Sequence, residues 1–339
     1  TVSHRGVLDY IAWARETFPL DESDAIASQA PLYFDNSTLD LYLCFSTGAT
    51  LCLLPEGLFS FPQRLVEALD AWGVTFLFWV PSVLVNVANR GVLADTKPKH
   101  LKYVLFCGEV MPAKQLAHWM RELPGPRYVN MYGPTEITDV CTYHELTESP
   151  EEASTVPIGR PCRNTAVVVL TGDDRAAGVD EVGELCIRGS GVAMGYWNAP
   201  EITGKVFVQN PLNTRYNDLI YRTGDLVRMD ADGVIHYLGR KDHQIKHLGY
   251  RIELGEIESA AASLPQVDHC CALYDADAQV IHLVVSGSEQ IDLGGLRRAL
   301  ASRLPKYMVP GKVHVLTSLP LNPNGKIDRK NLHGQLIAA

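Results

Sequence analysis

The sequence predicts an α/β protein: a large N-terminal domain with a mostly parallel sheet plus a small β-barrel subdomain, followed by a small α+β C-terminal domain. Three changes of texture along the 339 residues carry that prediction. Between about residues 60 and 140, continuous apolar runs alternate with helix-spaced apolar residues, the pattern of strands covered on both faces by helices. Past residue 155 the runs become short, β-rich and separated by Gly, Asp and Asn clusters, which suits an antiparallel barrel or meander. After Gly239 helical and strand patterns mix again over roughly 100 residues, the size of a separate domain. The expected boundaries are therefore 1–240 for the large part, divided into 1–154 and 155–240, and 241–339 for the small part.

In order along the chain, Leu65, Leu69 and Trp72 recur at helical spacing within Pro62 to Trp72. Val74 to Trp79 and Tyr103 to Cys107 are unbroken apolar runs of strand length, and residues 113 to 123 again have a helical pattern. Thr165 to Leu170, Gly183 to Arg188 and Val234 to Leu238 are the β-rich runs. A helix is expected over Glu253 to Ser263, strands near 270 and 280, and a second helix carrying Leu296, Leu300 and Leu304. The longest apolar stretch, Val74 to Ala88, is too short to span a bilayer and contains Pro81, so it reads as a buried strand followed by a turn.

Composition narrows the function. A net charge of −9, with Lys and Arg scattered, offers no basic field for nucleic acid or an anionic membrane, so neither is an expected partner. Eight cysteines without a CxxC pair or matching histidine spacing argue against a zinc site and a disulfide framework, and fit a reducing cytoplasm. No signal peptide marks the start, and the absence of an initiator Met suggests a fragment. The G-x-S-x-G, H-E-x-x-H and Walker patterns are all missing.

The strongest local signal is Asn130-Met131-Tyr132-Gly133-Pro134-Thr135-Glu136. A Gly-Pro turn here can present backbone groups and Thr135 to phosphate, offer the Tyr132 face to a base, and leave Glu136 free for Mg²⁺; a plain surface turn is the other reading. Three more segments follow in order: Tyr221 to Leu226 with Asp225, Gly239 to Glu256 with Arg240, and Leu304 to Pro310. Asn322 to Arg329, with Lys326, closes the set.

Taken together these segments resemble the adenylate-forming superfamily, and within it the adenylation domains of nonribosomal peptide synthetases and the D-alanine–carrier protein ligases. The resemblance runs from the first residues to Arg329 and implies an enzyme that uses ATP and Mg²⁺ to activate an amino acid. The product is then passed to the phosphopantetheine thiol of a carrier protein, on a separate chain or domain. It implies that Lys326 is catalytic, that Glu136 holds Mg²⁺, and that Asp242 is the hinge of a mobile small domain. Gly108, Glu109, Asn130, Tyr132, Gly133, Thr135, Asp225, Tyr237 and Arg240 are the implied nucleotide-binding residues. For the substrate pocket it implies Phe34, Asp35, Asn36, Leu39, Phe78, Leu105, Cys107, Met131, Asp139 and Val140. In the family a Gly-rich phosphate loop precedes the segment matching Ser3-His4-Arg5-Gly6, so the loop is expected outside these residues.

Each assignment has a plainer reading beside it. Lys326 could be an exposed lysine in an Asn-Gly turn, Gly108-Glu109 the turn after a strand, Asp35 the N-cap of a helix, and Asp242 a cap. Asp35 favours an amino acid, because a buried ammonium needs a carboxylate, whereas an acyl- or aryl-CoA synthetase has no use for one there. An inactive fragment or interaction module is a further alternative, against which the joint presence of Lys326, Asp225 and Glu136 argues. Asp139 departs from an otherwise apolar pocket and is expected either to meet a polar group of the substrate or to point into solvent.

Overall fold

The structure is a computed structural model that describes all residues except 152–153, 242–243, 248–249, 276–277, 279, 288–290 and 338–339. The first part of the chain runs α1 (His4–Thr17), β1 (Ala25–Ser28), α2 (Asn36–Thr47), β2 (Thr50–Leu53), α3 (Pro62–Ala71), β3 (Phe76–Trp79) and α4 (Pro81–Asn89). It continues through β4 (Tyr103–Cys107), α5 (Ala113–Glu122), β5 (Arg127–Tyr132), β6 (Thr142–Leu146) and β7 (Arg160–Pro161). These strands form a seven-stranded sheet in the order β2-β1-β3-β4-β5-β6-β7, parallel from β2 to β5 and antiparallel over its last two pairings.

Alternation along the strands splits the core between the two sheet faces. Leu77, Trp79, Val104 and Phe106 point to the face covered by Leu65, Leu69, Leu84 and Trp119 from α3, α4 and α5. Phe76, Phe78, Leu105, Cys107 and Met131 point to the other face, under Tyr10, Trp13, Leu39 and Leu43 from α1 and α2. Apolar residues on both faces are why these strands are continuous apolar runs in the sequence. The fully buried indoles of Trp79 and Trp119 satisfy their N–H groups on backbone carbonyls, Trp79 on Ala27 at 2.9 Å and Trp119 on Leu84 at 2.8 Å.

One expectation needs correction here. The chain after Trp79 is not a turn but α4, with Pro81 in its first turn. Proline suits that position, because its missing N–H has no acceptor there and its fixed φ is helical.

The β-rich part comprises β8 (Thr165–Leu170), β9 (Gly183–Gly189), α6 (Pro200–Val206), β10 (Phe207–Gln209), β11 (Leu219–Met229) and β12 (Ile235–Arg240). Its five strands are paired β10-β11-β9-β8, with β12 also on β11. The pairing is that of an open meander, since among the described residues none links β8 back to β10 or β12. Long β11 serves two neighbours in turn, β10 with its first residues and β12 with its last.

The last part holds the hairpin β13 (Gln244–His247) and β14 (Tyr250–Glu253), then α7 (Leu254–Ala262), β15 (His269–Asp275), β16 (Val280–Ser286), α8 (Leu293–Ala301), β17 (Lys312–Val315) and α9 (Arg329–Leu336). β15, β16 and β17 make a three-stranded sheet whose core includes Ile257, Leu264, Leu283, Val285, Leu296 and Leu300. Leu296 and Leu300 lie in α8 as the sequence implied, whereas Leu304 falls beyond its end and packs into the same core.

Candidate active site

Parallel strands β1, β3, β4 and β5 all end at one rim of the large sheet, and the segments that leave them build a cleft of about 290 Å³. Open α/β sheets bind ligands at this end because the loops diverge there. Gln29 and Ala30 follow β1, Val80 follows β3, Cys107 and Gly108 close β4, and Gly133 to Thr135 follow β5. Phe34, Asp35 and Asn36 come from the start of α2, and Asn324 and Lys326 from the turn before α9.

The turn that carries Lys326 is folded by Asn322. Its side-chain oxygen accepts from Asn324 N at 3.0 Å and from Lys326 N at 3.1 Å, while Asn322 N donates to Lys326 O at 2.7 Å. Ser82 at the start of α4 fastens the turn to the large sheet by donating its hydroxyl to Gly325 O at 3.0 Å. Lys326 makes no ion pair among the described residues, and its Cε and Nζ would stand 3.1 and 3.2 Å from a Cβ placed on Gly108. Gly108 also has φ +95, so glycine there serves both the backbone and the lysine.

Asp35 takes the plainer of the two roles that the sequence left open. It caps α2, accepting from Asn36 N at 3.0 Å through one carboxylate oxygen, and receives the Thr135 hydroxyl on the other. The cleft therefore brings Asp35, Thr135, Gly133, Gly108, Cys107, Phe34, Asn36 and Lys326 together. It does not reach the remaining pocket candidates. Leu39, Phe78 and Leu105 are fully buried, and Met131, Asp139 and Val140 are at most 4% exposed, all behind the cleft wall.

Asp139 is neither solvated nor empty-handed, contrary to the expectation that it faces substrate or solvent. The chain reaches it through two consecutive left-handed residues, Thr138 at φ 62 and Asp139 at φ 73, a rare conformation for a β-branched residue. That turn carries the carboxyl onto Tyr10 of α1, whose hydroxyl donates to it at 2.9 Å. Burial, and then the negative Asp35, push the Asp139 carboxyl up to about 8. Fully buried Asp40 on α2 is likewise raised, by burial first.

A second cluster lies where the large sheet meets the meander. Tyr132 donates its hydroxyl to one oxygen of Asp225, and Arg240 Nη1 donates to the other at 3.2 Å and to Thr223 O at 2.7 Å. The Tyr237 ring stands 6.3 Å from that of Tyr132. Burial and the Asp225 charge hold the Tyr132 hydroxyl well above its ordinary pKa, so it stays a donor. Gly224, at φ +72, leaves room for the Arg240 guanidinium.

Other candidates are turned to structural tasks. Asn130 is buried and donates to Pro157 O at 2.7 Å. Glu109 accepts from Ser82 N at 2.9 Å at the start of α4, and burial raises its carboxyl despite Lys326. Glu136 accepts the Tyr196 hydroxyl. Asp242 lies outside the described residues.

Sequence reasoning missed Tyr10, Ser82 and Tyr196, and gave Asn322 no task beyond opening the segment that carries Lys326. Only Asn322 carried a signal, as the first residue of an Asn-Pro-Asn-Gly turn. The others act on partners far along the chain.

With this geometry in view, comparison with known proteins identifies the class. Residues 1–197 match the family described as AMP-binding enzyme, and residues 256–326 its C-terminal domain. The chain belongs to the AMP-binding enzyme family. It is 38% identical to an L-proline--[L-prolyl-carrier protein] ligase of Streptomyces coelicolor, matching 98% of this chain and 62% of that protein. It is 37% identical to tyrocidine synthase 3 of Brevibacillus parabrevis, matching 98% of this chain and 5% of that synthase. Among solved structures, a four-domain nonribosomal peptide synthetase bound to AMP and glycine superposes with a TM-score of 0.84 at 27% identity, covering 97% of this chain and 24% of that one. The chain thus spans less than two thirds of the length of these relatives.

Proposed function

We propose that the chain is the greater part of an enzyme that activates an amino acid with ATP and transfers it to a carrier-protein thiol. One observation carries this reading: a carboxylate from the start of α2 and a lysine from near the chain's end, Asp35 and Lys326, line one cleft with Thr135. An acid and a base placed this way complement an amino acid's ammonium and carboxylate. A carboxylic acid without an amine would leave Asp35 facing no charge, which disfavours an acyl- or aryl-CoA ligase.

In this reading Asp35 holds the α-ammonium, and Lys326 draws the carboxylate toward the α-phosphate. The carboxylate oxygen attacks the α-phosphorus, a new O–P bond forms, and the bond to pyrophosphate breaks. Lys326 neutralises charge that develops on the phosphoryl oxygens, a preorganised electrostatic role. Thr135 and the Gly133 backbone meet phosphate, Tyr132 meets the base, and Asp225 with Arg240 meets the ribose. A carrier thiolate then attacks the acyl carbon and AMP leaves. The cleft's volume of about 290 Å³ favours a small side chain.

Glu136 fits a Mg²⁺ ligand. It is a partly exposed carboxylate beside Thr135, and no group of three or more metal-binding side chains exists among the described residues. Mg²⁺ needs only one or two carboxylates from a protein when phosphates complete its shell. When bound, it would neutralise phosphate charge. The residue ranges 1–240 and 241–339 with a hinge at Asp242 belong to the same proposal, because two half-reactions at one site need two placements of the small part.

Amino-acid-dependent ATP–pyrophosphate exchange by the full-length protein, run with a panel that includes D-alanine, L-proline and glycine, tests the function. Exchange with one or a few small amino acids is expected, and Asp35→Ala should lower it by about 100-fold or more. Absence of exchange with every amino acid tried, or unimpaired exchange by D35A, defeats the reading.

A further inference from the structure

We infer that Tyr196 is the positioning residue for the Glu136 carboxylate, setting the orientation in which it meets a divalent cation. The inference rests on the proposed role of Glu136, and it concerns a residue outside every motif considered above. Glu136 belongs to a short turn, Thr135–Ile137, at the tip of the large sheet, and a lone glutamate in such a turn has three free side-chain torsions. Left to itself it would sample several orientations, and a cation would have to select one.

The loop after β9 removes that freedom. Ala193 N donates to Glu136 O at 2.8 Å, so the backbone of the turn is clamped first. Thr138 then donates its hydroxyl to Gly191 O at 2.7 Å. A side chain at Gly191 would strike Ile137 O, with its Cβ at 2.6 Å, so only glycine allows the two backbones this close. From this clamped loop the Tyr196 hydroxyl donates to Oε1 of Glu136.

Tyr196 is itself held from three sides. Gly195 turns the chain at φ +122, and a Cβ there would meet Thr203 Cγ2 at 2.5 Å. Thr203 Oγ1 accepts from Tyr196 N at 2.9 Å. The tyrosine ring packs edge-on against Phe207 at 5.8 Å, and Phe207 rests on Tyr221 at 5.0 Å.

The physical consequence is that Oε1 of Glu136 is committed to Tyr196, with the Tyr221 hydroxyl reaching the same carboxylate, so a cation meets a carboxylate whose orientation is already set. Partners that orient a metal ligand in this way are worth roughly 10–100-fold in affinity. The role is positioning, since Tyr196 touches neither nucleotide nor amino acid in the proposed site.

The test is Mn²⁺ binding, followed by electron paramagnetic resonance, to the full-length protein with the β,γ-methylene analogue of ATP. Tyr196→Phe should weaken Mn²⁺ binding by roughly tenfold or more. Glu136→Gln should weaken it further, and Y196F should add nothing in the E136Q background. In steady state Y196F should raise KM for MgATP while leaving KM for the amino acid within about twofold, a split that general loss of structure does not produce. If Y196F fails to fold, Thr203→Ala, which only loosens the tyrosine's loop, should weaken Mn²⁺ by a few-fold. Unchanged Mn²⁺ affinity in Y196F beside a weakened E136Q overturns the inference and leaves the function standing. Unchanged affinity in E136Q removes both the metal assignment and the inference, while pyrophosphate exchange reports separately on amino-acid activation.

Discussion

At Asp139 a carboxyl group is 2% exposed, with Tyr10 as its hydrogen-bond partner and the charge of Asp35 nearby. Its pKa of about 8 in the fold, against about 3.9 in an unfolded chain, means that the folded state binds one more proton between those values. Stability therefore falls by about 1.4 kcal/mol per pH unit as pH rises from about 4 to about 8. Asp139→Asn keeps an acceptor for Tyr10 and cannot ionise. Urea unfolding at pH 5, 6.5 and 8 should show the variant more stable than the parent by on the order of 3 kcal/mol near neutrality, with a gap that widens toward pH 8. A gap independent of pH would refute this account. Asp40 pushes in the same direction, by burial first and in part through the Asp139 charge, so its share is smaller in the variant and adds to the gap. The sequence announced a misplaced carboxylate at this position, but nothing in it pointed to Tyr10, whose contact spans 129 residues. Tyr196 and Glu136, separated by 60, were hidden for the same reason.

Among the elements, strands covered on both faces were the most legible, because an unbroken apolar run of strand length is what burial on both sides of a sheet requires. The start of α4 was misread because Pro81 looks like a breaker, while only the structure reveals that it begins a helix. β17 is the element with the most exposed dependence on solution conditions. Among the described residues it pairs with β16 alone, in parallel, and across that pairing His314 and His282 share a hydrogen bond at 3.0 Å, their rings stacked 5.1 Å apart. Burial lowers both imidazoles, with Lys312 of β17 adding to the effect on each; Asp275 of β15 opposes it and His333 of α9 reinforces it at His282. A lowered histidine contributes stability that is complete above its unfolded value of about 6.5 and is lost as pH falls toward its folded value. Thermal melting from pH 7.5 to pH 5 should show this loss, and His314→Gln should flatten the profile. An equally steep profile in H314Q would show that the pair is not responsible.

Across the whole molecule, motif order named candidates such as Asp35, Thr135 and Lys326, whereas bringing them to one cleft needed the fold. Lys326 reaches the cleft because the last part of the chain is fastened to the first by a few polar contacts, Ser82 to Gly325 and Lys114 Nζ to Pro265 O at 3.2 Å among them. Ser82→Ala should lower the exchange rate by up to about tenfold through a less fixed Lys326, with little change in thermal midpoint. A large fall in midpoint without a change in rate would assign Ser82 to folding instead. The bond between Thr135 and Asp35 has a thermodynamic consequence of its own. In the proposed site an ammonium claims the carboxylate and a phosphate claims the hydroxyl, so whichever ligand arrives first breaks a contact that the second no longer has to break. The two ligands are then heterotropically linked, each tightening the other by the same factor, and that factor measures the strength of one hydrogen bond.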